Sequence, residues 1–283
     1  MKLKEENWSL IIKPSQSVFS FDYKALWRFR DLIFLFVKRD MVSAYKQTIL
    51  GPLWFLIQPI LTTITYTIIF YFVAKIKIDG LPPLLFYMSG IVLWSYFSEC
   101  LIKTSETFSA NAGIFGKVYF PRLIVPISIV ISNMIRLGFQ FLLLIVFWIY
   151  YFAKGEAIHM NSTILLFPLL LLLMAGHGLA FGIIISSLTT KYRDLKFLVQ
   201  FGVQLLMYAS SVVMPLSSVH GKLRWILLLN PMTSIIETFK YGFLGVGIYD
   251  FNYLIYNFIS LIFILLIALL LFNRVEKSFM DTV

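Results

Sequence analysis

Charge is what this sequence has least of. Asp, Glu, Lys and Arg make up 13% of its 283 residues, while 59% are hydrophobic. Soluble domains carry about 25% charged residues, so a soluble globular domain is excluded. The same apolar excess excludes a disordered chain. Cysteine is almost absent: Cys100 stands alone, cannot form an intrachain disulfide, and lies in an apolar run where a packed, inert thiol is expected. The three histidines, His159, His177 and His220, are far apart and form no metal-ligand spacing, so no metal site is expected. A phosphate loop is missing as well, because Asn111 stands where the glycine preceding Gly116-Lys117 would have to be. Nor do paired carboxylates or a nucleophile with its base stand out, which argues against a membrane-bound glycosyl- or acyltransferase. The chain is therefore expected to be a non-enzyme with no cofactor of its own.

What is present is long apolar runs. A bilayer core about 30 Å thick needs roughly 20 apolar helical residues. Six stretches meet that length, near Leu53–Ala74, Leu84–Ile102, Leu123–Phe152, Ile164–Leu188, Phe197–Leu216 and Tyr253–Phe272. The fold class is thus an all-α polytopic membrane protein. The first 24 residues are polar and show no charged-then-apolar leader, so no cleaved signal peptide is expected. Six spans put both ends of the chain on one side. Seventeen Lys and Arg fall in the segments that join the termini on that side; Lys75, Lys77, Lys154, Lys222, Arg224 and Lys240 fall opposite. That asymmetry predicts cytoplasmic termini. The net charge of +10 is then a topology signal rather than a nucleic-acid surface. The division is residues 1–52 as a cytoplasmic N-terminus, 53–272 as the spanning domain and 273–283 as a cytoplasmic tail.

Three segments are not spans. On a helical wheel over 24–46, Lys24, Arg28, Asp31, Lys38, Arg39 and Lys46 share one stripe, with Trp27, Phe29, Ile33, Phe34 and Phe36 mostly off it. This predicts an amphipathic interfacial helix, either a plain anchor or a lever. It ends near Gly51-Pro52, where glycine permits an elbow and proline breaks the ladder. The loop Thr189–Lys196 is short and charged, either an ordinary topology-setting loop or a knob for a soluble partner. From Val219 to Asp250 the chain is apolar but broken at Asn230-Pro231, which predicts a re-entrant hairpin on the outer side, with Pro231 opening its second helix.

Within the spans, Glu99, Arg136 and His177 are ionisable. An arginine at mid-membrane costs roughly 2.5–3.5 kcal/mol on insertion scales and must face protein or water. These groups are either polar contacts in a translocation path or internal struts. Counting along the spans at 1.5 Å per residue offsets Glu99 from Arg136 by roughly 10–15 Å, so no direct pair is expected. Gly178 and Gly182, flanked by Gly176 and Ala180, form a small-residue ridge for close helix packing. Asn161-Ser162-Thr163 matches the weak glycosylation pattern. Aromatics reach 17%. They suit interface belts, or a channel on which sugar faces stack.

The ordered set Phe36-Val37-Lys38-Arg39-Asp40, Tyr45-Lys46, Ile49-Leu50-Gly51-Pro52-Leu53-Trp54 and Gln58-Pro59 resembles the opening of ABC type-2 polysaccharide export permeases. Ala44 and Gln47 depart from that family's usual basic and small residues. Phe120-Pro121-Arg122-Leu123, Tyr192-Arg193-Asp194, Asn230-Pro231 with Glu237, and the tail Asn273–Asp281 continue the resemblance. It implies a bacterial inner-membrane permease subunit working as a homodimer, with two separate ATP-binding subunits that hold ATP and Mg. The implied cargo is a glycan linked to undecaprenyl diphosphate, such as an O-antigen or teichoic acid precursor. The implied ATPase contact is Lys191, Tyr192, Arg193 and Asp194. Lys38, Arg39, Tyr45 and Lys46 would meet the lipid headgroup near the gate. Capsule, drug or lipid exporters of the same broad type remain alternatives. An ion-coupled transporter would need midplane acids and repeat halves that the sequence does not display.

Overall fold

The computed structural model describes residues 23–46, 48–78, 80–192 and 194–282. Among them every regular element is helical. Helices α1 (Tyr23–Arg28) and α2 (Arg30–Tyr45) lead into a tight turn at Gly51–Leu53 and then α3 (Trp54–Tyr66), which continues as a wider π-helical stretch to Val73. Helices α4 (Pro83–Ser105), α5 (Thr107–Phe115), α6 (Ile124–Ala153) and α7 (Phe167–Thr189) follow. The chain ends with α8 (Leu195–Tyr208), α9 (Lys222–Leu229), α10 (Pro231–Leu244) and α11 (Phe251–Thr282).

Five described segments are long and apolar enough to cross a membrane: Gly51–Val73, Pro83–Ser105, Ile124–Ala153, Ser162–Thr189 and Phe251–Glu276. The expected fifth span, Phe197–Leu216, is not a single helix of that length. Helix α8 has 14 residues and stops at Tyr208. Ala209 then leaves the helical region at φ −88°, ψ 39°. The next residues are held from outside: Ser211 Oγ donates to Thr233 O, and Lys240 Nζ donates to Ser211 O at 2.6 Å. Pro215, with no amide hydrogen, prevents the ladder from restarting. Sequence hydropathy saw one apolar run where tertiary contacts make a short helix and an irregular return.

Helix α4 is the hub. It packs against α7, α6, α3 and α10, and most of its residues from Leu85 to Ser105 are buried inside the chain. Small residues make this possible. An added Cβ on Gly178 would come within 2.8 Å of Cys100 Cβ, and one on Gly182 within 2.5 Å of Thr104 Cβ. The expected ridge is therefore an α4–α7 seam, with Gly176 turned to Leu261 of α11. Cys100 is buried in that seam. Many aromatics pack inward rather than toward a lumen or lipid. Phe141, Phe167, Phe239 and Phe243 form a cluster with centroid spacings of 4.7 to 6.2 Å. This cluster ties α10 to α6 and α7, and Trp148 Nε1 closes it by donating to Phe243 O.

The segment expected as one amphipathic helix is two, broken at Phe29. Helix α2 lies along α6 and buries Phe36 and Val37, while Lys38 and Arg39 stay exposed. Gly51 takes φ +53° at the elbow before α3, the left-handed conformation that favours glycine. Asn161, in the sequon-like run, turns inward and donates from Nδ2 to Tyr241 O.

Candidate functional site

A part-buried cluster of charged side chains lies between α3, α4 and α6. Glu99 Oε2 accepts from Lys103 Nζ at 2.5 Å and from Arg136 Nη1 at 2.8 Å. The expected offset between Glu99 and Arg136 is thus overturned. Depth counted from span ends assumes equal starts, but α6 has 30 residues and α4 has 23. At 1.5 Å per residue the extra length is about 10 Å, and the arginine side chain covers the remainder. Lys103, one turn beyond Glu99 on α4, also donates to Asn133 Oδ1 at 3.2 Å. The Arg136 guanidinium sits 4.8 Å from the centre of the Phe55 ring on α3. Charge-assisted bonds, stronger in low dielectric than in water, thereby join α4 to α6, and the Phe55 ring brings α3 against the same guanidinium.

This cluster borders a cavity of about 110 Å³ lined by Gln58, Ser95, Ser98 and Gln140 as well as Glu99 and Arg136. A wider groove of about 410 Å³ adjoins it through the shared Asn133 and Arg136. Its other wall is α2, at Arg39, Asp40 and Ser43. Arg39 pairs with Asp40 at 2.8 Å and lies 4.6 Å from the Phe36 ring centre. Lys38 and Lys46 are exposed. Tyr45 ends α2, and its side chain lies outside the described set, as do Gln47 and Arg193.

At the same end of the bundle as α2, the α7–α8 turn presents Lys191 and Tyr192 to the surface, with Lys191 Nζ 5.2 Å from the Tyr192 ring centre. Asp194 immediately precedes α8, and its carbonyl accepts from Phe197 N. The turn is tied back to the α4–α5 corner. Thr189 Oγ1 donates to Ser105 O, Ser186 Oγ accepts from Phe108 N, and Lys196 Nζ pairs with Glu106 Oε1 at 2.6 Å. The sequence reading missed Glu106. Its partner is 90 residues away, and no periodicity joins two loop-edge charges.

The hairpin residues form a second polar centre, at the opposite end. Asn230 Oδ1 caps α10 by accepting from Met232 N, while its Nδ2 donates to Leu206 O and Ala209 O. Pro231 occupies the first position of α10, as expected. Glu237 is 1% exposed, and its carboxylate accepts from Leu216 N and Ile248 N. Lys240, equally buried, lies 3.4 Å from the Phe86 ring centre. His177 is apart from both centres. It is fully buried, with Nδ1 2.8 Å from Leu173 O and Nε2 3.1 Å from Ser260 Oγ, an α7–α11 strut.

The family description ABC-2 type transporter matches residues 31–244. An O-antigen export system permease protein, RfbA, of Klebsiella pneumoniae is 27% identical over 252 residues, covering 89% of this chain and 94% of its own. A Myxococcus xanthus protein of the same name is 26% identical over 219 residues, 77% of this chain and 82% of its own. The polysialic acid transport protein KpsM of Escherichia coli is 23% identical over 228 residues, 76% of this chain and 83% of its own.

Proposed function

The chain belongs to the ABC-2 type transporter family, and from that membership we propose that it exports a lipid-linked polysaccharide of O-antigen type. It is a multi-pass permease subunit of the bacterial inner membrane, a transport component rather than a catalyst, and it works with an ATP-binding subunit. The observation that carries the cargo is the similarity to O-antigen export permeases along 89% of the chain. A capsule-type glycan is the second reading, favoured by the similarity to KpsM.

The mechanism we infer is mechanical. Two copies enclose the path, two ATP-binding subunits sit at the basic end, and both termini are cytoplasmic. Six crossings are kept if α8 and the irregular return after it together traverse the bilayer. The α9–α10 pair then forms a re-entrant hairpin from the outer side, capped at Asn230. ATP closes the motor against the turn that carries Lys191, Tyr192, Arg193 and Asp194. The Lys196–Glu106 pair passes the displacement to α4 and the helices packed on it. Lys38, Arg39 and Lys46 on α2 attract the diphosphate headgroup of the cargo lipid, at about 1 kcal/mol per surface cation. The chain itself needs no nucleotide site, since the motor supplies one.

The test is inverted vesicles holding this chain with its cognate ATP-binding subunit and a radiolabelled lipid-linked glycan. ATP should drive the glycan into the lumen, and charge reversal at Arg193 and Asp194 should leave ATP hydrolysis running while export stops. Export driven by an ion gradient without ATP would overturn this reading.

A further inference from the structure

The cavity between α3, α4 and α6 is over-supplied with hydrogen-bond donors. Two cations, Lys103 and Arg136, converge on one oxygen of Glu99, so the cluster holds one more positive charge than negative. A guanidinium offers five N–H donors in a planar fork. Arg136 uses Nη1 on Glu99, and its remaining donors meet no protein acceptor among the described residues. The side-chain amides of Gln58 and Gln140 line the same cavity and also make no hydrogen bond among the described residues. A surplus cation between helices is costly, and the Phe55 ring, Asn133 Oδ1 and the partial exposure of Lys103 offset this one without supplying a second anion. The adjoining groove, about 410 Å³, lies within the usual range for ligand pockets, roughly 300–1,000 Å³.

We propose that this cavity is a binding site for a phosphate-bearing anion. Arg136 presents its fork to two phosphate oxygens, the geometry in which arginine outperforms lysine. Lys103, on the wall of the adjoining groove, acts as a point charge at the cavity's edge, and Gln58 and Gln140 supply neutral donors within it. Glu99 is the internal counter-ion that holds both cations in place until the anion competes for them. The anion reaches the cavity from the α2 side, along the groove past the Arg39–Asp40 pair. Its source is either a free phosphate or diphosphate or the headgroup of an anionic lipid. The site is defined by this chain's own charges and stands whatever glycan the protein moves.

The test uses the full chain in phosphatidylcholine nanodiscs, with and without its ATP-binding subunit. One arm titrates inorganic diphosphate and follows the ³¹P signal. The other replaces a fraction of the lipid with phosphatidate and counts retained lipid by native mass spectrometry. Saturable binding in the first arm identifies a free anion, and selective retention in the second identifies a headgroup. Arg136→Gln should weaken binding about tenfold or more, the loss of a charge-assisted bond. Arg136→Lys should recover part of it. Glu99→Gln should tighten binding severalfold, because it removes the competing carboxylate. A merely structural ion pair makes the opposite forecast, since removing either partner breaks it equally. If Arg136→Gln does not fold, Glu99→Gln and Gln140→Leu still decide the matter, as they must move affinity in opposite directions. No binding in either arm, or equal loss in Glu99→Gln and Arg136→Gln, overturns the proposal.

Discussion

Gly182 is where a single methyl group should matter most. A Cβ there would lie 2.5 Å from Thr104 Cβ, 2.8 Å from Thr104 Cγ2 and 2.9 Å from Leu101 O. Carbon atoms rest at about 3.5–4.0 Å, so α4 and α7 would have to part by roughly 1 Å. Two of the three obstacles cannot rotate away, because one is backbone and one is a Cβ. Overpacking of this kind costs about 1–3 kcal/mol. A central value of about 2 kcal/mol is roughly a thirtyfold change in the folded-to-unfolded ratio. Gly182→Ala should therefore lower the melting temperature of the detergent-purified protein by several degrees. Gly138→Ala on α6 is the control: an added Cβ there has nothing within 4 Å, and alanine is favoured over glycine in a helix by about 1 kcal/mol. It should melt at or above wild type. Thr104→Gly placed with Gly182→Ala moves the notch across the seam and should recover part of the loss. Equal shifts in the two single variants, or a stabilised Gly182→Ala, would refute the account of the α4–α7 seam.

Three further outcomes are expected. Asn230→Ala removes the α10 cap and both links to the end of α8; a lost cap costs about 1 kcal/mol, so amide exchange around 209–232 should speed up by roughly fivefold while α4 stays protected. Glu106→Lys should lower ATP-coupled export, and Glu106→Lys with Lys196→Glu should restore it, because the pair joins the α7–α8 turn to α4 at 2.6 Å; failure of the double variant to exceed the single one would remove that role. Cys100 is fully buried against Asn133, so maleimide should leave it unlabelled in the native protein and label it after denaturation. Rapid labelling of native protein would contradict the seam.

The relation of sequence to structure is best seen in particular residues. Local chemistry was legible wherever it acts within a few residues. Gly51-Pro52 made an elbow, Pro231 opened a helix behind Asn230, and the apolar runs became helices because backbone in lipid must satisfy itself. The small-residue ridge at Gly178 and Gly182 was legible too, since small residues repeated at i, i+4 put a flat face on one side of a helix, whereas the isolated Gly138 meets nothing. The contacts that define the candidate site were not. Glu99 and Arg136 are 37 residues apart, and their meeting depends on the relative lengths of α4 and α6, which hydropathy does not report. Glu106, at the α4–α5 corner, and Lys196, in the first turn of α8, are brought together only by packing. The end of α8 at Tyr208 was invisible too, because the residues after it bond to another helix: Ser211 Oγ donates to Thr233 O of α10, and Lys240 Nζ of α10 donates to Ser211 O.

By itself, the sequence determined the class of molecule: a helical membrane protein with little charge, a net basic balance and no phosphate-loop motif. Those properties are sums over residues or short-range rules, and they survive any arrangement of the helices. Only the tertiary structure decided which ionisable groups meet, which aromatics face inward and where the apolar run after Leu195 breaks. Each depends on distances across the bundle, and a one-dimensional pattern carries no information about those.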